Sequence, residues 1–416
     1  MTDVVMLLAP PRSYRLAAYL AAAQALGARP IVASVGVRPL VPDGVTGVQI
    51  DLPPDGDPSA ALFKAAHSLG VRAVVATDDA TVELACDVAA SLDLTHNEPN
   101  SVRTARRKDL SRRALHAAGC PSPTFFVVSD RFPLAEQLDE VRYPCVVKPL
   151  AMSGSRGVIR CDSSADIEAV LDRVLSISQE CDVLDARGYA LVERFLPGSE
   201  VALEGMLHSG ELDVLAIFDK PDPLDGPYFE ETLYVTPSRM SAKVQAVIEL
   251  RVREAVTAFG LTEGPVHAEL RVHEGDATVL EIAARTIGGD CARLLDWHLG
   301  QPLEERVLEH ALGRGARPVP PATASAGVLM LPIERAGTLR RVEGVLDARN
   351  VPGIVDVVIA VREGYELVPL PDGSSYLGFV FATGESASTV ECSLREAHAK
   401  LNVVTAPNWR ISAVTS

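Results

Sequence analysis

Short apolar runs and helix-length stretches alternate through the first hundred residues, and this alternation limits the possible folds more than any other feature of the chain. Val4–Leu8 is followed by a helical stretch at 14–26, an apolar run at 31–34, a second helical stretch at 59–69 and another apolar run at 73–77. Parallel neighbours need crossover connections, so this order predicts a small parallel sheet flanked by helices. The turn after the first run, Ala9-Pro10-Pro11-Arg12-Ser13, contains no GxGxxG, and its two prolines remove donors that a pyrophosphate would need. A dinucleotide site there is disfavoured.

The pattern then changes. Residues 106–119 read as one amphipathic helix stopped by Gly119, with Pro121 and Pro123 beyond it, and a new unit starts here. From Tyr143 hairpins dominate, with helices expected near 165–175 and 243–259. The stretch 313–326 is rich in Gly, Pro and Ala and reads as a connector. Runs at 327–333, 354–361 and 376–383 then read as strands of a last α/β unit. A chain of 416 residues exceeds what one ordinary core serves. We therefore expect α/β and α+β regions in three domains, an N-terminal α/β domain at 1–104, a middle one at 105–315 and a C-terminal α/β domain at 316–416.

Charge and cysteine usage narrow the function. A net charge of -16 opposes wrapping a phosphate polymer, so nucleic acid is not expected as a partner, whereas a nucleotide needs only local cations and backbone donors. The seven cysteines are scattered without a CxxC pair, which fits reduced thiols better than a disulfide framework or structural zinc. No apolar run reaches the roughly 18 residues of a membrane span, and the start Met-Thr-Asp-Val-Val lacks a basic n-region. A cytoplasmic protein without a membrane partner is expected.

Three segments carry chemistry. In Gly264 to Arg285, polar and apolar residues alternate on both sides of Glu274-Gly275-Asp276, which predicts a hairpin with a three-residue turn. Centring it on Gly275 places Glu269 opposite Glu281. Like charges so placed call for a cation, and oxygen-only ligation suits Mg²⁺; a solvated hairpin or a register slipped by one are the alternatives. In Pro144 to Val158, a buried strand ends at Lys148 and a Gly/Ser loop follows. Gly154 and Gly157 would let backbone N–H groups face a phosphate, with Lys148 and Arg156 adding charge, although an ordinary surface turn would look similar. In Tyr189 to Glu204, Pro197-Gly198 turns one strand into the next, so that Glu193 and Glu200 flank the connection.

Taken in order, a lysine at a helix start, a lysine before a Gly/Ser loop, Glu-x-x-Leu-x-Gly-x-Glu and Glu-Ile-x-x-Arg resemble the ATP-grasp superfamily of carboxylate-amine ligases from Lys108 to Arg293. Asp219 to Ser238 resembles the substrate-facing segment of the L-amino-acid (dipeptide) ligases. The resemblance implies an ATP-grasp fold with an N-terminal pre-ATP-grasp domain, a C-terminal domain and a mobile lid at about 143–196. It also implies an ADP-forming ligase that activates a small-molecule carboxylate as an acyl phosphate and joins it to an amine. The alternatives are a bicarbonate-activating carboxylase of the same superfamily and a non-catalytic nucleotide-binding protein. A homodimer is a reasonable expectation.

Carried over residue by residue, the resemblance makes Lys108 and Lys148 phosphate ligands of ATP under the loop Ser153-Gly154-Ser155. Glu193, the Arg194 carbonyl and the Leu196 N–H would face adenine, and Glu200 the ribose. Glu269 and Glu281 would hold Mg²⁺ or Mn²⁺, with Ala283 standing where relatives often carry asparagine. Arg285 and Lys148 are the candidate catalytic residues, Arg285 stabilising the acyl phosphate with the Gly288-Gly289 backbone beside it, unless Arg285 merely bridges to Asp290 or a surface acid. His267 could orient substrate or be a half-buried hairpin histidine. Glu230 and Glu231 could take an ammonium group or form a solvated turn.

Overall fold

The computed structural model describes residues 2–11, 13–36, 41–51, 56–138, 141–315, 318–319 and 324–407. Arg12 of the first turn and six residues of the proposed connector (316–317 and 320–323) lie outside them. The chain forms two compact units. The first comprises Met1–Ser122, Val201–Ile217 and Met240–Ala322, and the second Pro123–Glu200, Phe218–Arg239 and Thr323–Ser416.

In the first unit, a four-stranded sheet runs in the order Thr46–Ile50, Arg29–Val35, Val4–Leu8, Ala73–Ala76, with every pairing parallel. The Val4–Leu8 strand is buried along its whole length, as a central parallel strand covered on both faces must be. Helices Leu16–Ala25 and Pro58–Leu69 lie on crossovers, and Asp79–Ser91 follows the last strand. The second of these is bounded by the Asp57 side chain, which accepts from Ser59 N, and by left-handed Gly70.

The same unit contains the predicted hairpin, Gly264–His273 with Asp276–Ala283, beside residues 201–208 and 211–217 of strands Ser199–His208 and Glu211–Asp219. The long helix Ala242–Phe259 buries Ile248, Val252, Val256 and Phe259 in one core with hairpin residues Val266, Leu270, Val279 and Ile282. Ser241 caps its start by accepting from Val244 N, and Gly260 ends it with φ +74°.

The expected helix over 106–119 is found as Lys108–Ala117, and a further helix, Pro99–Arg106, precedes it. They are separated by Arg107, whose extended backbone (φ -96°, ψ 107°) breaks the ladder. Both helices present apolar faces to one core, through Val102, Ala105 and Leu115. The consequence is that Lys108 is the first residue of a helix.

The second unit contains an antiparallel sheet in the order Phe125–Ser129, Tyr189–Arg194, Cys145–Pro149, Ile159–Cys161, covered by helix Ile167–Ser178. A further set of strands, Leu233–Thr236, Ser325–Leu331, Gly378–Gly384 and Ile354–Ile359, packs on helix Ala387–Lys400. These strands pair antiparallel throughout, so the C-terminal segment mixes α and β without the parallel order of the N-terminal sheet. All seven cysteines are free thiols. No described helix is long and apolar enough to cross a membrane.

Candidate active site

Among the sequence-derived residues, Lys108, His267, Glu269, Glu281, Arg285, Gly288 and Gly289 belong to the first unit. Lys148, Ser153, Gly154, Ser155, Glu193, Arg194, Leu196, Glu200, Glu230 and Glu231 belong to the second.

In the first unit Glu269 and Glu281 pair directly across the hairpin, although the turn differs from expectation. His273 pairs with Asp276, so the turn has two residues, Glu274 and Gly275, both left-handed at φ 50° and 84°. That is the turn whose twist matches the flanking strands. Counting from a two-residue turn would place Glu269 opposite Leu280. The register instead shifts between Glu269 and Leu270: Leu270 pairs with Val279, Glu269 with Glu281, and Leu280 is the extra residue of a bulge. The displaced Leu280 carbonyl accepts a 2.8 Å bond from Arg112, a fully buried side chain on helix Lys108–Ala117.

The same helix brings Lys108 Nζ to 3.1 Å from Glu281 Oε2. His267 lies on the face of Glu269, its Nε2 3.5 Å from Glu269 Oε1 and its Nδ1 3.0 Å from Glu204 Oε2. Burial would lower the imidazole pKa, but the two carboxylates prevail and raise it above the usual histidine range. Glu204 also accepts from the Ile287 N–H at 3.1 and 3.2 Å, so one buried carboxylate ties His267 to the loop leading to Gly288-Gly289.

Arg285 lies just beyond the last residue of its strand, Ala283. Its Nε donates to Asp79 Oδ1 at 2.7 Å and its Nη1 to the Thr286 carbonyl at 2.8 Å. Burial opposes its charge, yet Asp79 holds the guanidinium pKa above its usual value, and Arg285 holds that of Asp79 below its own despite burial. Asp290, the partner weighed for Arg285, pairs with Arg293 at 3.1 Å. The loop is held further by buried Arg15, which donates to Thr286 Oγ1 at 2.5 Å, to the Thr286 carbonyl at 3.1 Å and to the Ile287 carbonyl. Asp79, Arg15, Glu204 and Arg112 were invisible as site residues because each acts on a segment far away in sequence.

In the second unit Lys148 and Glu193 lie on paired antiparallel strands, with Nζ 2.5 Å from Glu193 Oε1 and both side chains buried. A buried lysine keeps its charge only with such a partner. The loop after Lys148 turns through Gly154, Ser155 and Gly157, all at positive φ. Two expected phosphate groups there are committed elsewhere. The Gly157 N–H donates to the Pro371 carbonyl at 2.9 Å. Arg156 donates to Glu180 at 2.6 Å and to the Asp372 carbonyl at 2.8 Å. Arg194 ends its strand, its N–H held by the Thr124 carbonyl at 3.0 Å, and Leu196 follows in the connection to the next strand.

Glu200 and Glu231 converge on buried Lys220, which lies 2.7 Å from Glu200 Oε1 and also bonds Glu231. The solvated-turn reading therefore fails for Glu231. Glu230 does not join this group: burial, then a backbone hydrogen bond at Ile333 that opposes it, leave its carboxyl pKa raised. Lys220 was passed over because nothing around Asp219-Lys220-Pro221 marks it as buried.

Comparison with known proteins completes the picture. The ATP-grasp domain family matches residues 141–293, and the family described as L-amino acid ligase C-terminal domain 2 matches residues 329–406. Alanine–anticapsin ligase of Bacillus subtilis is 23% identical over 251 residues, 56% of this chain and 52% of that enzyme, so the chain spans about half of that relative's length. An L-arginine-specific L-amino acid ligase of Bacillus subtilis is 24% identical over 264 residues, 63% of this chain and 62% of that protein. The crystal structure of an L-amino acid ligase from Bacillus licheniformis superposes with a TM-score of 0.84 at 24% identity, covering 97% of this chain and 99% of that one.

Proposed function

We propose that this chain, whose residues 141–293 match the ATP-grasp domain family and 329–406 the L-amino acid ligase C-terminal domain 2 family, is an ATP-grasp ligase that forms a peptide or amide bond between two amino acids or amino-acid-like substrates. The observation that carries this reading is the Glu269–Glu281 pair beside Lys108, with Arg285 at the end of the same strand. A protein that only bound a nucleotide would have no need of all four.

The donor set fits a divalent ion. Two opposed carboxylates, with side-chain exposures of 24% and 33%, offer oxygen ligands that suit Mg²⁺ or Mn²⁺. When bound, the ion would neutralise phosphate charge during transfer. Ala283 offers no ligand, which leaves that position to water or phosphate oxygens.

In this reading Lys108 and Lys148 hold the ATP phosphates under Ser153-Gly154-Ser155, and Glu193, Arg194 and Leu196 meet the adenine. Glu200 accepts from the ribose while Lys220 fixes its carboxylate. A substrate carboxylate oxygen takes the terminal phosphoryl group of ATP and ADP leaves. The amine nitrogen then attacks the carbonyl carbon, and phosphate departs with the electrons of the C–O bond while the ammonium proton passes to solvent. Arg285, pre-aimed by Asp79, stabilises charge on the acyl phosphate, and the Gly288 and Gly289 backbone faces it. His267 orients substrate, and Glu230 and Glu231, the latter also bonded to Lys220, are the candidates for the substrate ammonium. The proposed domains are 1–104, 105–315, which carries the ATP-grasp chemistry, and 316–416, in a cytoplasmic homodimer acting on small molecules.

The test is phosphate release from ATP and Mg²⁺ over single and paired amino acids, comparing wild type with Glu281→Ala. Release that needs a carboxylate and an amine together and disappears in the variant supports the ligase. Release with bicarbonate alone overturns it in favour of a carboxylase.

A further inference from the structure

The loop after Lys148 is held from outside its own sheet, and the holding segment comes from the C-terminal part of the same compact unit. Four contacts converge within a few residues. The Gly157 N–H donates to the Pro371 carbonyl at 2.9 Å, and Arg156 Nε to the Asp372 carbonyl at 2.8 Å. The Asp372 carboxylate accepts from Arg173 at 2.5 Å, on the helix that covers the Lys148 sheet. Gly154 lies against Ser374, where a Cβ would make ordinary contact at 3.5 Å with its carbonyl oxygen.

Both partners are shaped for this approach. The 369–374 turn closes through a 2.9 Å bond from Gly373 N to the Pro369 carbonyl, and a side chain at Gly373 would lie 1.9 Å from the Val368 carbonyl. Gly157 packs on Pro149, the residue after Lys148, where a Cβ would come within 2.8 Å. The loop is thus fixed on one side by the strand carrying Lys148 and on the other by the C-terminal turn.

We infer that the 369–374 turn is a latch that pre-orders the Ser153–Ser155 loop for nucleotide, with Arg156 and Asp372 as positioning residues. Exposed ion pairs such as Arg173–Asp372 count for little singly. Here, however, they fix a turn whose carbonyls accept from a backbone amide and a guanidinium in the loop itself. A loop ordered beforehand loses less entropy when ligand binds, so the latch appears as nucleotide affinity. Since Gly157 spends its amide on the latch, the amides left to face phosphate lie upstream of it. This inference rests on the nucleotide role proposed for the loop.

The test uses the full chain and needs no knowledge of the amino-acid substrates. Binding of a non-hydrolysable ATP analogue with Mg²⁺ is compared in wild type, Arg156→Gln, the Arg156→Gln/Arg173→Gln pair and Arg156→Lys. Amide exchange of 152–158 is followed with and without the analogue. The double variant should bind about fivefold to tenfold more weakly and exchange faster at 152–158 without nucleotide, with Arg156→Lys restoring part of both. Unchanged affinity in a folded double variant overturns the latch, as does faster exchange with no loss of affinity. If the analogue does not protect 152–158 in wild type, the nucleotide role of the loop fails, and the latch fails with it.

Discussion

Arg112 donates to the carbonyl of Leu280 at 2.8 Å, and this bond holds the one extra residue that brings Glu281 opposite Glu269. Without the bulge the two-residue turn would pair Glu269 with Leu280 and send the Glu281 side chain to the other face of the hairpin. The proposed metal pair therefore depends on an arginine from the helix that also presents Lys108.

Deleting Leu280 removes the extra residue and keeps Glu281 opposite Glu269, since Glu281 then follows Val279 directly, so the folded variant is expected to retain ATP turnover. Arg112→Met keeps the bulk but withdraws the donor, and it should cost about 1.5–3 kcal/mol, the usual value of a buried hydrogen bond to a charged group. Denaturant unfolding measures the second effect and phosphate release the first. A folded deletion variant that has lost turnover would show that the bulge itself, and not only the pairing of the two glutamates, is needed.

Arg285 and Asp79 form a second such relationship, 2.7 Å apart from Nε to Oδ1. Arg285→Ala should lower kcat by roughly 100- to 1000-fold, the range for removing one donor to developing charge. Asp79→Asn keeps the shape but relaxes the aim of the guanidinium, and should lower kcat by a smaller factor with little change in the ATP KM. Steady-state kinetics on both variants distinguishes the roles; an equal loss in the two would place Asp79 in the reaction itself.

Asp296 supplies a pH prediction. Burial, and then the nearby charge of Glu304, push its carboxyl pKa up to about 7. The folded protein therefore holds a proton that the unfolded chain has released, and stability falls as pH rises from about 4 to 7. Asp296→Asn removes this penalty. Its melting temperature should exceed that of wild type by a few degrees at pH 8 and match it near pH 4. Thermal melts at the two pH values check the sign, and a larger gain at pH 4 would refute it.

Local patterns made much of the architecture legible. The N-terminal alternation marked the strands of a parallel sheet, and the helices expected at 106–119 and near 243–259 are observed at Lys108–Ala117 and Ala242–Phe259. The short helix Pro99–Arg106 was not legible, since only the extended backbone of Arg107 separates it from the next. The pairing of Glu269 with Glu281 was reached by counting from a three-residue turn. The structure arrives at it through a two-residue turn plus a bulge, two departures that cancel.

What the sequence determined by itself is the set of chemical groups and their order along the chain: Lys108, Lys148, the Gly/Ser loop, the two glutamates and Arg285. Local backbone preference and residue chemistry are enough to read those. Only tertiary structure decided what each group is held by: Asp79 against Arg285, Glu204 against His267, Lys220 between Glu200 and Glu231, and Asp372 behind Arg156. The physical reason is that a buried charge requires a partner. Folding supplies that partner from up to about two hundred residues away, a separation at which no sequence periodicity operates.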